Sequence, residues 1–198
     1  MLAVHKLRYV ETDLPGVHEE RVELRQALEA AGKLKPYPNL IFAPANLMAA
    51  SDRNRVLHEL DPKRPVAIVH EGLFQYFSFE EKKEAALAIR EILKRFGGVW
   101  MTPDFETRDL RMRRGWNHPD FGRIYASITR ISRRDLQAFS FESQAEVKKF
   151  FDGIGMSVTT VPQIDGSYRL SSPRRVGTTA DQLAALRETC ALRVMRLK

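Results

Sequence analysis

Residues 64–77 read Arg64-Pro65-Val66-Ala67-Ile68-Val69-His70-Glu71-Gly72-Leu73-Phe74-Gln75-Tyr76-Phe77. The apolar run 66–69 is short and lies between a proline and a glycine-containing turn, which predicts a strand buried on both faces. Ser78 and Glu81 have the spacing of a capping box and predict the start of a helix. Ligands of open α/β sheets bind just beyond the carboxyl ends of such strands, so Glu71 and Gly72 stand where a functional site is expected.

The remainder of the chain alternates strand and helix patterns. Predicted strands cover 7–11, 39–43, 66–69, 99–102, 156–161 and 191–197, and predicted helices cover 15–31, 52–60, 79–96, 143–154 and 179–188. The order βαβαβαβ up to Thr102 predicts an α/β fold with a parallel, right-handed, doubly wound sheet. In the first helix, Asp13 is the expected N-cap, Gly32 ends the helix, and one apolar face is expected to be buried: Val17, Leu24, Leu28 and Ala31.

Composition limits the class of protein. A chain of 198 residues without a linker or repeat predicts a single domain, 1–198. It has no apolar run long enough to cross a membrane and no signal-peptide core near Met1, and its single cysteine, Cys190, cannot form an internal disulfide. We therefore expect a cytoplasmic protein with no membrane partner. The net charge of +7 permits an acidic partner without requiring one.

Polar side chains follow three predicted strands. Glu11 and Asp13 follow the first, Asn46 the second and Glu71 the third. In a nucleoside-binding α/β fold such acids accept hydrogen bonds from ribose hydroxyls, and an acid or amide can pair with an adenine amino group. Each also has a structural interpretation: Asp13 as a helix cap, Asn46 as a turn residue, and Glu71 as a member of a buried ion pair.

The order of these motifs resembles one family of enzymes. The matching stretches are Glu11-Thr12-Asp13-Leu14-Pro15, Ala45-Asn46-Leu47, His70-Glu71-Gly72-Leu73-Phe74-Gln75-Tyr76-Phe77 and Phe150-Phe151-Asp152-Gly153-Ile154-Gly155-Met156. They resemble the motifs of leucine carboxyl methyltransferases and polyketide-type O-methyltransferases, which are class I enzymes dependent on S-adenosylmethionine (SAM). The resemblance covers about residues 7–197 and is weakest between 107 and 140. It implies a Rossmann-like sheet with an antiparallel C-terminal strand.

The resemblance also implies roles for individual residues. Asp13, helped by Glu11, would hold the ribose of SAM, and Asn46 and Leu47 would flank the adenine. Asn46 stands where the family has an aspartate, so the amide can accept a hydrogen bond but carries no charge. The last group, which would line the pocket near the methionine portion and the acceptor, comprises Glu71, Gly72 and Tyr76.

An arginine-rich segment corresponds to the variable part of the family. Residues 107–134 contain eight arginines and two acidic residues, and the pattern predicts one or two irregular helices. By resemblance, 107–140 is an inserted substrate cap in which Arg108 and Trp116 contact an acidic small molecule. The segment also has the composition of a phosphate-backbone site with Trp116 and Tyr125 as stacking platforms, or of a solvated helical face.

The front of the chain departs from the family pattern. Only twelve residues precede Asp13 and no G-x-G occurs among them, whereas about 20 residues separate the glycine-rich loop from the ribose acid in folds of this plan. We therefore expect a sheet without the family's first strand and with unpaired strand edges. A truncated product, an oligomer or second chain that covers the missing strand, and a rearranged fold all remain open explanations.

The sequence thus predicts SAM-dependent O-methylation of a carboxylate or hydroxyl of a small molecule. No catalytic base is identified, because the resemblance implies displacement at an activated methyl group that needs mainly alignment. The alternatives are a non-catalytic relic or binding protein, and a nucleic-acid-binding module. No metal site is expected, since His70 and His118 lack ligand spacing, and Ser171-Ser172 lacks the G-x-S-x-G context of a hydrolase.

Overall fold

The structure, a computed structural model, describes residues 7–113, 119–163, 177 and 179–198. Backbone contacts divide the chain into two compact units, Met1–Arg64 and Pro65–Lys198. That the chain forms a single domain stays a prediction. The dipeptide Asp165-Gly166 predicts a turn, but residues 164–176 lie outside the described part of the chain.

The first unit is a parallel βαβ arrangement followed by a helix. Strand β1 (Tyr9–Glu11) pairs with β2 (Leu40–Phe42) in parallel, so that Val10 lies opposite Ile41. Helix α1 (Pro15–Ala30) connects the strands, and α2 (Ala50–Leu57) follows them. The predicted elements are therefore present, but α2 begins two residues earlier and ends three residues earlier than the predicted 52–60.

The ends of α1 are set by local residues. The N-cap is Leu14 and not Asp13 as predicted, because Pro15 is the first helical residue and Leu14 directly precedes it. At the other end Gly32 has φ +67, and the amides of Gly32 and Lys33 donate to the carbonyls of Glu29 and Leu28 at 3.0 and 2.9 Å. This pattern is a Schellman motif, which confirms the predicted glycine stop.

The predicted apolar face of α1 is not buried. None of its residues is buried, and Leu24 is 62% exposed. Among residues 7–64 only Ala43, at 8% exposure, belongs to the core. Helical periodicity selects which side chains share a face, but burial also requires an element that packs against that face.

The second unit contains a four-stranded mixed sheet. Its strands are β3 (Val66–Val69), β4 (Gly98–Thr102), β5 (Met156–Pro162) and β6 (Ala191–Leu197), in the order β3-β4-β6-β5. Strand β4 is parallel to β3, with Ile68 opposite Trp100, whereas β6 is antiparallel to both β4 and β5. The expected antiparallel C-terminal strand is therefore confirmed, at the predicted residues.

The predicted continuous sheet is instead two separate sheets. Among the described strands, β1 pairs only with β2, and β3 pairs only with β4. Strand β3 is also not buried on both faces as predicted: its residues alternate between half-buried and exposed, and Val69 is 60% exposed. A strand at the edge of a sheet lacks a neighbour on one side, which leaves its side chains more accessible than those of a central strand.

Helices alternate with the strands of the second unit along the chain. A short 3₁₀ turn (Phe74–Tyr76) leads into α3 (Phe79–Phe96), which begins with the predicted capping box of Ser78 and Glu81. The arginine-rich segment forms α4 (Arg108–Arg113) and α5 (Pro119–Ser132), in agreement with the prediction of irregular helices. Helices α6 (Gln144–Gly153) and α7 (Ala180–Thr189) precede β5 and β6. None of the helices in the described part of the chain is long and apolar enough to cross a membrane.

Aromatic side chains form the centre of the core in this unit. Trp100 on β4 is completely buried, and the rings of Phe74, Phe105 and Phe151 lie with centroids 5.2, 5.8 and 5.5 Å from its ring. Centroid separations of this size are those of favourable aromatic pairs. The cluster joins the turn after β3, the segment after β4 and helix α6, so it fixes the loops at the carboxyl ends of the two parallel strands.

Candidate functional site

The first group of candidate residues lies at the carboxyl ends of β1 and β2. Because these strands are parallel, their ends meet at one edge, and the backbone N–H of Ala45 donates to the carbonyl of Asp13 at 2.8 Å. The structure thereby brings Glu11 and Asp13 close to Asn46 and Leu47, as the sequence predicted from strand order.

Arg21 of α1 joins the two acids. Its guanidinium forms ion pairs with Glu11 and with Asp13, the latter over 3.4 Å. The carboxylate of Asp13 also accepts a 2.8 Å hydrogen bond from the amide of Leu14. Both acid side chains remain about a third exposed, so they keep free acceptor positions toward solvent. One arginine therefore positions two carboxylates whose oxygens can accept hydrogen bonds from hydroxyl groups.

Asn46 forms a tight local turn. Its side-chain oxygen accepts the amide of Met48 at 3.0 Å, and its backbone N–H donates to Asp52 at 2.8 Å. The backbone hydrogen bond from Asn46 is the largest influence that lowers the pKa of the Asp52 carboxyl, ahead of the charge of Arg55. The turn interpretation of Asn46 is therefore present in the structure, while its exposed amide still faces solvent at the strand end.

The second group of candidates lies on the turn after β3. Glu71 is exposed and forms no hydrogen bond or ion pair with any residue that the structure describes. The structural ion pair considered for Glu71 is therefore not found in the described part of the chain. Gly72 has φ +70, a left-handed conformation that favours glycine, and Tyr76 is half-buried at the end of the 3₁₀ turn.

Asp104 holds this turn in place from the end of β4. Its carboxylate accepts the backbone amides of Gly72, Leu73 and Phe74 at 2.7, 2.8 and 2.8 Å. Three successive N–H groups directed at one buried carboxylate form a backbone nest. The position of Glu71 is therefore set by a residue 30 or more positions away in sequence.

His70 completes the network around Asp104. Trp100 Nε1 donates to His70 Nε2 at 2.8 Å, and His70 Nδ1 lies 3.1 Å from Asp104 Oδ2. Since the indole N–H is only a donor, His70 Nε2 accepts, and the Nδ1 proton is directed at the carboxylate. The imidazole also stacks on Phe74 at 4.7 Å. With both nitrogens engaged, His70 positions the turn and is not available as a general base.

The network also determines the ionisation of Asp104. Burial is the largest influence and raises the pKa of this carboxyl, but the hydrogen bond from His70 and the amides of Phe74 and Gly72 together outweigh it. The net result is a pKa below the ordinary value. Asp104 therefore stays ionised at neutral pH and keeps accepting hydrogen bonds from the turn.

Two side chains of the arginine-rich segment form ion pairs within the second unit. Arg108 pairs with Glu142 at 2.6 Å and donates to the carbonyl of Gln137 at 2.7 Å. Arg134 forms a bidentate pair with Glu81, with both distances 3.0 Å. Trp116 lies outside the described residues. These pairs give part of the segment a role in holding the unit together, and substrate contact by Arg108 and Trp116 stays a prediction.

The sequence interpretation missed two residues, Asp104 and Lys82. Asp104 was visible as an acid after a predicted strand, the same signal that selected Glu71, but no role was assigned to it. Lys82 lies on the buried face of α3 together with Ala85, Ala86 and Ile89, so helical spacing alone would have placed it in the core. A lysine in such a stripe is unusual and marks a place to search for a partner.

No protein-family model matches this chain, and no curated protein matches it in sequence. Its fold is similar to that of a DUF574 family protein from Streptomyces avermitilis, with a TM-score of 0.54 and 16% identity over 96% of this chain and 64% of that one. It is also similar to the mitomycin 7-O-methyltransferase MmcR, with a TM-score of 0.52 and 12% identity over 97% of this chain and 42% of that one. The structure of LepI in complex with SAM has a TM-score of 0.50 and 12% identity over 98% of this chain and 37% of that one.

These similarities concern the fold. The chain has the α/β architecture with a mixed sheet that resembles a methyltransferase Rossmann-like core. It spans between 37% and 64% of the length of these structures. The leucine carboxyl methyltransferase family suggested by the motifs is not matched by a family model.

Proposed function

We propose that this chain binds SAM and takes part in O-methylation of a carboxylate or hydroxyl of a small molecule. The observation that carries this proposal is the joint placement of Glu11, Asp13 and Asn46 at one end of the parallel β1–β2 pair. Ligands of parallel α/β sheets bind at that end, and the fold similarity to SAM-dependent methyltransferases supports the same ligand.

The donor and acceptor chemistry of this strand end fits an adenosyl group. Glu11 and Asp13 offer carboxylate oxygens to ribose hydroxyls, and their ion pairs with Arg21 hold both carboxylates on one side of α1. Asn46 offers an exposed amide that can pair with the edge of a base. Leu47, half-buried beside it, offers apolar surface to a ring.

The chemistry of the cofactor limits what the protein must supply. When bound, SAM supplies a methyl group on a positively charged sulfur, which is already activated for transfer. The protein therefore needs chiefly to orient an acceptor oxygen and exclude water, and no base is assigned. In the second unit, Asp104 and His70 fix the turn that carries Glu71 and Tyr76.

Calorimetric titration with S-adenosylhomocysteine tests the proposal. We expect saturable binding to the wild-type chain and an affinity about tenfold weaker in Asp13→Asn, since a carboxylate that accepts from hydroxyls is lost. Glu20→Gln, an exposed acid on α1, is the matched control and should bind like the wild type. No heat at millimolar ligand, or equal binding by Asp13→Asn, would overturn the proposal.

A non-catalytic binding protein is the second candidate. It is favoured by one observation: the G-x-G of this sequence, Gly153-Ile154-Gly155, comes after a helix and before β5, whereas a glycine-rich cofactor loop follows a strand and opens a helix. Binding of S-adenosylhomocysteine without transfer of a labelled methyl group from SAM to any small acid or alcohol in a panel would favour this candidate over the enzyme.

A further inference from the structure

A small hollow lies beyond the carboxyl ends of β3 and β4, in the second unit. Its walls come from the turn after β3, the segment after β4, helices α3 and α4 and the segment before α6. The volume is about 20 Å³, more than the roughly 10–15 Å³ that one ordered water needs. Lys82 is the only lysine among the described residues that line it. Much of the wall is aromatic, from Phe74, Phe105, Phe139 and Phe141.

Lys82 carries its amine into this aromatic surrounding. The residue lies on the buried face of α3 and is only 2% exposed. Its Nζ donates to the carbonyl of Phe77 and lies 5.5 and 5.8 Å from the ring centroids of Phe79 and Phe139. Lys82 forms no ion pair with any residue in the described ranges. A neutral amine that donates one N–H to a carbonyl keeps its lone pair, which is what a nucleophile uses.

The surroundings of this amine favour its neutral form. Burial is the largest influence on its pKa and acts against the ammonium; Glu81 and Asp104 favour the charged form, and Arg111 acts with burial. Glu106, the acid in the lining, pairs with Arg111 at 3.3 Å. The net result is a pKa lowered from 10.5 to about 8. At pH 7 the neutral fraction is therefore about 300-fold larger than that of a lysine with the ordinary pKa.

The backbone beside the hollow is strained. Phe105 has φ +66, a left-handed conformation that non-glycine residues rarely adopt. Its ring is buried against Phe74 and Phe151, both at 5.0 Å, and this packing holds the unusual backbone. Strained residues of this kind concentrate at functional sites, because the surrounding structure must compensate for them.

We propose that Lys82 is a nucleophile that binds a small aldehyde covalently in this hollow, as an imine. The amine nitrogen attacks the carbonyl carbon and a C–N bond forms. The two amine protons pass to the carbonyl oxygen, which leaves as water, so that no oxidant or reductant is needed. The imine is neutral and does not carry the cost that burial places on an ammonium. The size of the hollow selects aldehydes of about two carbon atoms or fewer. The proposal does not depend on SAM binding.

Competitive labelling with deuterated formaldehyde tests the proposal on the wild-type chain. Cyanoborohydride donates a hydride to each imine and traps it as a methylamine, and fragment mass spectra then give the rate at each lysine. At pH 7 we expect Lys82 to be labelled about tenfold faster than Lys83, its exposed neighbour on α3. A lysine that is merely buried reacts more slowly than an exposed one. Slower labelling of Lys82 than of Lys83 would therefore overturn the proposal.

The same experiment in concentrated urea separates the effect of the fold from that of the local sequence. Lys82 and Lys83 should then be labelled at equal rates, because the hollow is lost. The advantage of folded over unfolded Lys82 should be largest at pH 7 and shrink toward pH 10, where the unfolded amine also becomes neutral. An advantage that persists in urea, or that does not change with pH, would contradict the proposed nucleophile.

A larger aldehyde tests the size of the hollow. Benzaldehyde with the same reductant should label Lys83 but not Lys82 in the folded chain, because an aromatic ring does not fit a volume of about 20 Å³. Rapid labelling of Lys82 by benzaldehyde would overturn the assignment to small aldehydes.

Discussion

The carboxylate of Asp104 lies 3.1 Å from the ring nitrogen Nδ1 of His70, which belongs to the turn after the preceding parallel strand. The same carboxylate accepts three backbone amides of that turn. One acid at the end of β4 thus fixes the conformation of the residues that follow β3. The candidate functional segment is held from outside itself and does not depend on its own side chains for its shape.

Replacing this acid should destabilise the protein strongly. Asp104→Asn keeps the size of the side chain but turns an amide NH₂ toward backbone N–H donors in a buried place. We expect a loss of about 2–4 kcal/mol in the free energy of unfolding, measured by urea denaturation. Asp135→Asn is the matched control, because Asp135 also accepts two backbone amides but is exposed; it should cost less than about 1 kcal/mol.

The stabilising effect of Asp104 should disappear in acid. Its pKa is lowered in the folded protein from an ordinary value of 3.8, so the unfolded chain takes up the proton first as the pH falls. The stability it contributes is therefore complete above pH 3.8 and is lost as the pH falls through the folded pKa. The difference in unfolding free energy between wild type and Asp104→Asn should narrow below that pH. A constant difference would contradict the ionised network.

Lys82 should make stability rise in alkaline solution. Burial is the main influence that lowers its pKa from 10.5 to about 8; Glu81 and Asp104 act in the opposite direction, and Arg111 lowers it further. Between these two values the unfolded chain binds more protons than the folded one, so the wild type gains stability as the pH rises. Relative to Lys82→Met, the gain from pH 7 to pH 10 should be about 2 kcal/mol. The Lys83→Met variant keeps Lys82, so its stability should rise with pH as that of the wild type does.

Two adjacent glycines should respond differently to alanine. A Cβ on Gly98 would lie 1.9 Å from the carbonyl oxygen of Val66, and φ is +110 there. Gly97 also has a positive φ, +70, but a Cβ would meet no atom within 4 Å. We expect Gly98→Ala to cost about 3 kcal/mol or more and Gly97→Ala about 1–2 kcal/mol, by chemical denaturation. Equal costs would contradict the close approach of β3 and β4.

Glu71 should matter for binding and not for folding. Its side chain is exposed and has no partner among the described residues, so Glu71→Gln should change the free energy of unfolding by less than about 0.5 kcal/mol. The family resemblance implies that Glu71 lies near the methionine portion of the cofactor, so the same variant should weaken binding of S-adenosylhomocysteine severalfold in calorimetry. Glu84→Gln, an exposed acid on α3, is the control. A large loss of stability with unchanged affinity would make Glu71 a structural residue.

Local signals in the sequence were sufficient for most elements. The start of α3 follows from the side chains of Ser78 and Glu81, its end from Gly97, and the two strands 66–69 and 191–197 lie at the predicted residues. Caps, glycine stops and short apolar runs act within a few residues of one another, so they can be read along the chain. The strand-end rule likewise identified Glu11, Asp13 and Asn46 as neighbours.

Packing between distant segments was not predictable in the same way. Periodicity gave α1 an apolar face, but none of its residues is buried, because nothing in a helical pattern states what packs against it. The burial of β3 was overestimated for the same reason: a run of apolar residues does not state whether the strand has a neighbour on each side.

The amino-acid sequence by itself determined the order of strands and helices and the polar residues at the strand ends, because those depend on neighbours along the chain. Only the tertiary structure decided that Asp104 and His70 hold the turn after β3, and that Lys82, Glu106 and Arg111 surround one hollow. The pKa of a buried charged group depends on the groups packed around it, and these can lie 30 positions away in sequence. Packing in three dimensions selects those partners.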